Sequence, residues 1–107
     1  TLYFVVEPNE LGRALGPRGL NVRKLQEKLN KRIKMVEFHE NKLQFIGNLC
    51  HPVTPSNVEE KGESVLVFAP DSQSRGFLIG RGASNLRAME TVAKRYFKFK
   101  DIKVPEL

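Results

Sequence analysis

Two glycine-containing turns hold the residues of this chain with the clearest chemical potential. In each, a short apolar helical pattern stops at a glycine, and a basic amphipathic pattern starts directly afterwards. The start of a helix carries unpaired N–H groups and partial positive charge, and glycine lets a ligand approach the backbone closely. The pattern therefore predicts that both turns bind a phosphate. The turns are Gly16, Pro17, Arg18 and Gly19, and Gly80, Arg81, Gly82 and Ala83.

Cationic and amide side chains accompany both turns. Arg18 and Arg81 lie inside them, and we expect these side chains to contact phosphate. The first turn of each following helix supplies an asparagine and, two residues later, an arginine. These further predicted binding residues are Asn21, Arg23, Asn85 and Arg87.

The two turns belong to an internal repeat. A constant shift of 64 residues places Gly16 on Gly80 and Asn21 on Asn85, and the neighbouring glycines, apolar residues and arginines also coincide. The order of predicted elements repeats as well, which chance matches between glycines do not produce. Such repetition indicates two copies of one supersecondary unit.

The elements that must position the turns follow from hydrophobic periodicity and turn residues. Residues 2–6, 10–15, 20–29 and 33–38 predict strand, helix, helix and strand. The second copy predicts the same order from strand 65–69, helix 76–79, a helix from Ser84 and strand 101–104, preceded by a helix near 43–50 and a strand from 57. We interpret the proline-marked segment 51–56 as a stiff linker. The predicted domains are 1–40 and 41–107, and the first is expected to lack the opening helix and strand of the second.

Charge is distributed in blocks that fit a polyanionic partner. The chain has 107 residues and a net charge of +6. Residues 12–34 contain eight Lys or Arg and one acid, residues 75–103 contain eight and two acids, and residues 35–74 contain two and six acids. Two basic blocks around an acidic one favour two binding surfaces for a nucleic acid. Two solvated helix faces that bind nothing are the structural alternative.

Other functional classes lack their residues. Neither turn is followed by Lys-Ser or Lys-Thr, as a nucleotide P-loop requires, and no third glycine completes a dinucleotide fingerprint. No catalytic set repeats across the halves, so we expect no enzyme activity, cofactor or small-molecule substrate. Cys50 is the single cysteine and, with only two histidines, predicts no metal site and a reducing, cytoplasmic setting. No apolar run predicts a membrane span.

The repeated unit resembles the KH domain, whose G-x-x-G loop joins two helices and clamps a short single strand. "ALGPRGLNVRKL" fits the loop fully, and "LIGRGASNLRAM" has Ala83 in place of its second glycine. The resemblance implies an α+β fold of two tandem type II KH domains, each a three-stranded sheet with helices on one face, joined by a short rigid linker. Two such units covering nearly the whole chain resemble the archaeal NusA-like transcription termination/antitermination proteins.

The resemblance implies a mechanism and partners. Both loops would hold the phosphates of single-stranded RNA, and Leu15, Val22, Ile79 and Leu86 would help to floor the base groove, although burial is expected to be their main role. RNA polymerase is a further expected partner. Two departures stand out, because Pro17 has no N–H and Ala83 adds a methyl that a helical residue would tolerate easily.

Three functions remain open at this point. The first is an RNA-binding factor in transcription elongation or termination. The second is a ribosome-associated or ribosome-assembly KH protein. The third is a protein-interaction module, derived from KH units, that binds RNA polymerase.

Overall fold

The first part of the chain folds as a strand, two helices and a second strand. In the computed structural model, which describes residues 2–107, these are β1 (Leu2–Val6), α1 (Leu11–Leu15), α2 (Leu20–Leu29) and β2 (Ile33–Glu37). β1 and β2 pair in parallel, with Leu2 opposite Ile33. A parallel pair needs a long crossover, and the two helices provide it. The predicted order of these four elements is confirmed.

The second part repeats this order after an additional helix and strand. Its elements are α3 (Lys42–Leu49), β3 (Asn57–Lys61), β4 (Ser64–Phe68), α4 (Ser72–Ile79), α5 (Ser84–Ala93) and β5 (Asp101–Lys103). The strands lie in the order β3-β4-β5. β3 is antiparallel to β4, and β4 is parallel to β5 across the α4–α5 crossover.

The chain divides into two compact units, one ending at His39 and the other comprising Glu40–Leu107. Residues 51–56, interpreted from the sequence as a stiff linker, connect α3 to β3 inside the second unit. Its backbone is tied there: Val53 N–H donates to Cys50 O at 2.9 Å, and Ser56 N–H donates to Phe68 O at 2.8 Å. The prolines therefore mark a turn within one unit.

The α+β fold class is confirmed, but the expectation of three strands in each sheet is wrong for the first unit. Among the described residues, the first sheet contains β1 and β2 alone, whereas the second contains three strands. The counterpart of β1 is β4, since Leu2 faces Ile33 just as Val65 faces Ile102. The first unit thus corresponds to the second without α3 and β3.

The second unit has a dense apolar core. Phe45, Ile46 and Leu49 of α3 are each 0% exposed. They are buried together with inward-facing residues of the sheet and of α4 and α5. Other fully enclosed residues of this unit include Val65, Val67, Leu78, Met89 and Ile102. In the first unit, among residues 2–39, only Val36, at 2% exposure, and Ile33, at 8%, are buried, because the unit has two strands and two short helices.

Side-chain caps fix where two helices of the second unit begin. Asn41 accepts from Gln44 N–H at 3.1 Å before α3, and Asp71 accepts from Ser74 N–H at 2.7 Å before α4. The Asp71 cap starts α4 at Ser72, so the predicted start at residue 76 is wrong by one helical turn. The hydrogen bond from Ser74 also lowers the pKa of Asp71 below its usual value.

A glycine ends the first helix of each helix pair in a conformation that other residues avoid. Gly16 has φ 72° and ψ 177°, and Gly80 has φ 74° and ψ 174°. A Cβ atom at Gly16 would lie 2.8 Å from the Asn21 side chain, and one at Gly80 would lie 2.8 Å from Asn85 Cβ. Both backbone angle and space therefore require glycine at these corners.

Replacing Phe45 by alanine should cost about 3–5 kcal/mol of unfolding free energy, because a buried aromatic leaves a cavity. Phe45 also makes an edge-to-face contact with Tyr96, at 5.5 Å between ring centroids. Phe77→Ala is the matched control, since this ring is 52% exposed. Urea denaturation measures both variants, and equal losses of stability would contradict the proposed core.

Gly80→Ala should destabilise the chain by about 1–3 kcal/mol, because alanine must adopt a strained φ and collide with α5. Gly76→Ala is the control one helical turn earlier, where a Cβ meets nothing within 4 Å. Within a helix, alanine should stabilise by roughly 0.5–1 kcal/mol relative to glycine. Urea midpoints that move in the same direction for both variants would refute the role assigned to the corner.

Candidate nucleic-acid interface

The two turns have one backbone conformation with different residues. The third residue of each is left-handed, with φ 53° and ψ 28° at Arg18 and φ 59° and ψ 28° at Gly82. The fourth is left-handed too, with φ 70° and ψ 21° at Gly19 and φ 61° and ψ 22° at Ala83. Each turn therefore places one non-glycine residue in left-handed backbone, in the third position of the first turn and the fourth of the second.

The structure revises the interpretation of Ala83. This residue is not in right-handed helical backbone, so its tolerance has another origin. At the equivalent Gly19, a Cβ would meet nothing within 4 Å. The shared backbone conformation therefore has room for a methyl at the fourth position, and the left-handed backbone at Ala83 costs about 1–2 kcal/mol.

Some backbone N–H groups that were expected to bind a ligand instead donate hydrogen bonds inside each turn. Gly19 N–H donates to Gly16 O at 3.1 Å, and Ala83 N–H donates to Gly80 O at 3.2 Å. The first residue of each following helix also donates backward, Leu20 to Pro17 O and Ser84 to Arg81 O. Backbone hydrogen bonds from the fourth loop residue and from the first residue of the helix thus stabilise each corner.

The loop arginines are exposed but do not occupy the same position. Arg18 is the third residue of its turn, whereas Arg81 is the second and corresponds to Pro17. The two side chains therefore extend from positions that differ by one residue within the turn. Each turn brings one guanidinium group to the solvent beside its exposed backbone.

The helix arginines are directed differently in the two units. Arg23 Nη2 donates to Arg18 O at 3.0 Å, which places this guanidinium against the first turn. Arg87 Nη1 donates to Glu90 Oε1 at 2.8 Å, one helical turn away from the second loop. The hydrogen bond and negative charge of Glu90 raise the pKa of Arg87.

Both asparagines after the turns hold the corner together. Asn85 Nδ2 donates to Phe77 O at 3.0 Å and to Leu78 O at 3.3 Å. Asn21 Nδ2 makes the equivalent long contact with Arg13 O at 3.5 Å. These amide groups satisfy carbonyls at the end of the preceding helix, where no helical partner exists. A contact between either asparagine and a ligand stays a prediction.

Arginines that precede the turns are engaged elsewhere. Arg75 donates from Nε to Pro105 O at 3.1 Å and from Nη2 to Val104 O at 3.3 Å, so it anchors the chain after β5. Arg13 forms an exposed ion pair with Glu10 at 3.3 Å, a kind of contact that contributes little to stability. Charge at the turns thus comes mainly from Arg18 and Arg81 in the loops and from Arg23 beside the first loop.

The apolar residues expected to floor a groove are less enclosed than predicted. Leu86 is buried, at 8% exposure, but Leu15, Val22 and Ile79 are only half-buried. The first helix of each pair is short, so nothing covers the full length of these side chains. They leave apolar surface beside both corners.

Sequence reasoning missed two exposed apolar side chains next to the turns. Leu20 directly follows the first turn and is 41% exposed, and Phe77 lies three residues before Gly80 and is 52% exposed. Both interrupt the repeat, because Ser84 stands opposite Leu20 and Arg13 stands opposite Phe77. An apolar residue aligned with a polar one was the available signal.

Within residues 2–107, no three His, Cys, Asp or Glu side chains are grouped as metal ligands would be. Cys50 is buried at the end of α3, where its Sγ donates to Ile46 O at 3.3 Å. Over the same residues, no helix combines the length and apolar character needed to cross a membrane.

Comparison with known proteins gives consistent relatives. The chain is 30% identical over 103 residues to the probable transcription termination protein NusA of Halococcus morrhuae, covering 94% of this chain and 74% of that protein. It is 30% identical to the protein of the same name from Methanocaldococcus jannaschii, of which it spans 57%. The equivalent protein of Methanococcus vannielii is 31% identical, and 61% of it is covered. No family model matches the sequence.

A solved structure shares the fold of this chain. The crystal structure of APE1850 matches with a TM-score of 0.73 and 27% identity, covering 96% of this chain and 77% of that one. The match extends over both units, and the sequence relatives also align with 94% or more of this chain. The chain therefore belongs to the family of archaeal NusA-like proteins.

Proposed function

We propose that this chain is a non-enzymatic, single-stranded RNA-binding protein that acts in transcription termination or antitermination. The observation that carries the proposal is the repeated corner, with the same backbone angles and adjacent arginines in a chain of the NusA-like family. Two corners of one geometry suit a ligand that itself repeats, and a nucleic-acid backbone is such a ligand.

Each corner provides a cradle for one stretch of sugar-phosphate backbone. We assign the phosphate donors to the N–H groups of Arg18, Arg81 and Gly82, in the second and third loop positions. Pro17 supplies no N–H, so the first loop depends more strongly on its side-chain cations. The positive end of the following helix adds a favourable field.

Bases would lie on the apolar surface beside each corner. Half-buried Leu15 and Val22, together with exposed Leu20, supply it in the first unit. Ile79 and the exposed ring of Phe77 supply it in the second, where an aromatic side chain can stack on a base. Unstacked bases of a single strand can use such surfaces, whereas the bases of a duplex are hidden.

The role in transcription rests on the relatives, which are named probable transcription termination proteins. The chain spans 57–74% of their lengths, so activity of a whole protein is part of the proposal. RNA polymerase is the proposed protein partner. Recovery with RNA polymerase from cells would support this role, and recovery with ribosomal particles instead would favour the ribosomal alternative.

Arg18→Asp and Arg81→Asp should each weaken binding of a short labelled RNA about tenfold, because a charge-assisted phosphate contact contributes roughly 1.5–3 kcal/mol. Asp tolerates left-handed backbone, so the exchange at Arg18 should preserve the fold. Fluorescence anisotropy at two salt concentrations measures the effect. Each variant should also show a shallower salt dependence, by roughly 0.7 in the log–log slope per lost phosphate contact.

Lys31→Asp and Arg95→Asp are matched controls at equivalent repeat positions. They change the charge equally but lie beyond the far ends of α2 and α5, whose ten residues span about 15 Å. Equal losses in loop and control variants would reduce the interaction to general electrostatics. If the unaltered chain does not bind RNA at low salt, the proposed function is wrong and a protein-interaction module is favoured.

A further inference from the structure

The pair Arg23 and Gln26 and the pair Arg87 and Glu90 occupy the same places in the repeat. Both pairs are three residues apart and related by the shift of 64 residues. Gln26 Oε1 accepts from Ile33 N–H at 2.9 Å, and Glu90 Oε2 accepts from Ile102 N–H at 2.8 Å. In each unit, this side chain thus ties the second helix to the closing strand.

Gln26 and Glu90 differ in whether their second terminal atom can accept a hydrogen bond. The second oxygen of Glu90 accepts from Arg87 at 2.8 Å. The amide nitrogen of Gln26 is a donor, so it offers a guanidinium no acceptor. Arg23 is accordingly turned the other way and donates to the Arg18 carbonyl at 3.0 Å. The two arrangements thus coincide with an amide at one position and a carboxylate at its equivalent.

The two sides of the Arg87–Glu90 pair differ in burial, since the Arg87 side chain is 64% exposed and the Glu90 side chain 9% exposed. Glu90 is 7% exposed and is the buried charged residue among those that the structure describes. A buried carboxylate needs a partner, because desolvation without compensation is expensive. If Arg87 moved to a phosphate at the second loop, it would leave Glu90 with its backbone donor alone. Movement of Arg23 would leave no buried charge without a partner, since Gln26 is neutral.

We propose that Glu90 is a positioning residue that withholds Arg87 from RNA at the second loop, and that Gln26 leaves Arg23 available at the first. The first loop, with Arg18 and Arg23, is then the stronger phosphate site of the chain. The inference rests on the proposed RNA-binding function. The two loops then bind phosphate unequally although their backbone conformation is the same. The second loop is the weaker site even though Arg81 has the backbone N–H that Pro17 lacks.

The experiment exchanges the two tying residues in the full chain. The probe is a labelled single-stranded RNA of about ten nucleotides, long enough for two clamps of four. Arg18→Asp provides a background in which the second loop dominates binding. In that background, Glu90→Gln should tighten binding about tenfold, because Arg87 gains a phosphate contact. Gln still accepts from Ile102 N–H, as Gln26 does from Ile33, so the fold should be retained.

A double-mutant cycle separates positioning from net charge and from folding. The gain from Glu90→Gln should disappear when Arg87→Ala is added, since the freed arginine is its cause. Glu63→Gln, an exposed site in the same unit, is the charge-matched control and should change affinity less than twofold. Conversely, Gln26→Glu in an Arg81→Asp background should weaken binding about tenfold by pairing with Arg23.

The possible outcomes are distinguishable. A gain that equals that of Glu63→Gln, or that survives Arg87→Ala, overturns the positioning role while RNA binding itself stands. Urea midpoints of all variants establish that each is folded at the temperature of the titration. Absence of RNA binding by the unaltered chain would instead overturn the proposed function, and this inference with it.

Discussion

Both candidate sites depend on the corner at which one short helix gives way to a longer one. The glycine there has φ near 73° and extended ψ, and its Cα lies directly against the asparagine that follows. The asparagine amide then binds a carbonyl of the first helix. A side chain at the glycine would remove the room for this arrangement. The same contact thus closes the corner in both units.

The two corners have the same backbone conformation but different side chains. Positive φ is needed at the third and fourth loop positions of both units, yet each unit fills only one of them with glycine. The first unit bears the free-energy cost of an arginine in left-handed backbone, and the second bears that of an alanine. The backbone is the same in both, and the cation is displaced by one residue. Two sites of one shape thus present charge differently.

The two units also differ in how firmly the helix pair is supported. In the second, α3 adds a layer of fully buried side chains to a three-stranded sheet. In the first, the described residues provide a two-stranded parallel sheet, and the side chains of α1 and α2 are at most half-buried. A sheet of two strands is marginal without further packing. The stronger proposed phosphate site therefore lies on the less enclosed unit.

Local signals in the sequence determined the elements, the repeat, the corners and the basic character of the chain. Apolar periodicity and glycine turns act over a few residues, so β1, α2 and α5 could be placed closely from sequence alone. The start of α4 was predicted at residue 76 because the side-chain cap at Asp71, which starts the helix at Ser72, was not taken into account.

Only the tertiary structure decided which side chains serve the corner. Asn85, Arg75 and Glu90 find partners 7 to 30 residues away, and such pairings depend on how helices and strands pack. The sequence contained Gln26 and Glu90 at equivalent places but gave no sign that the difference mattered. Its effect arises from the burial of Glu90 beside Ile102, because a carboxylate removed from water holds the nearest guanidinium.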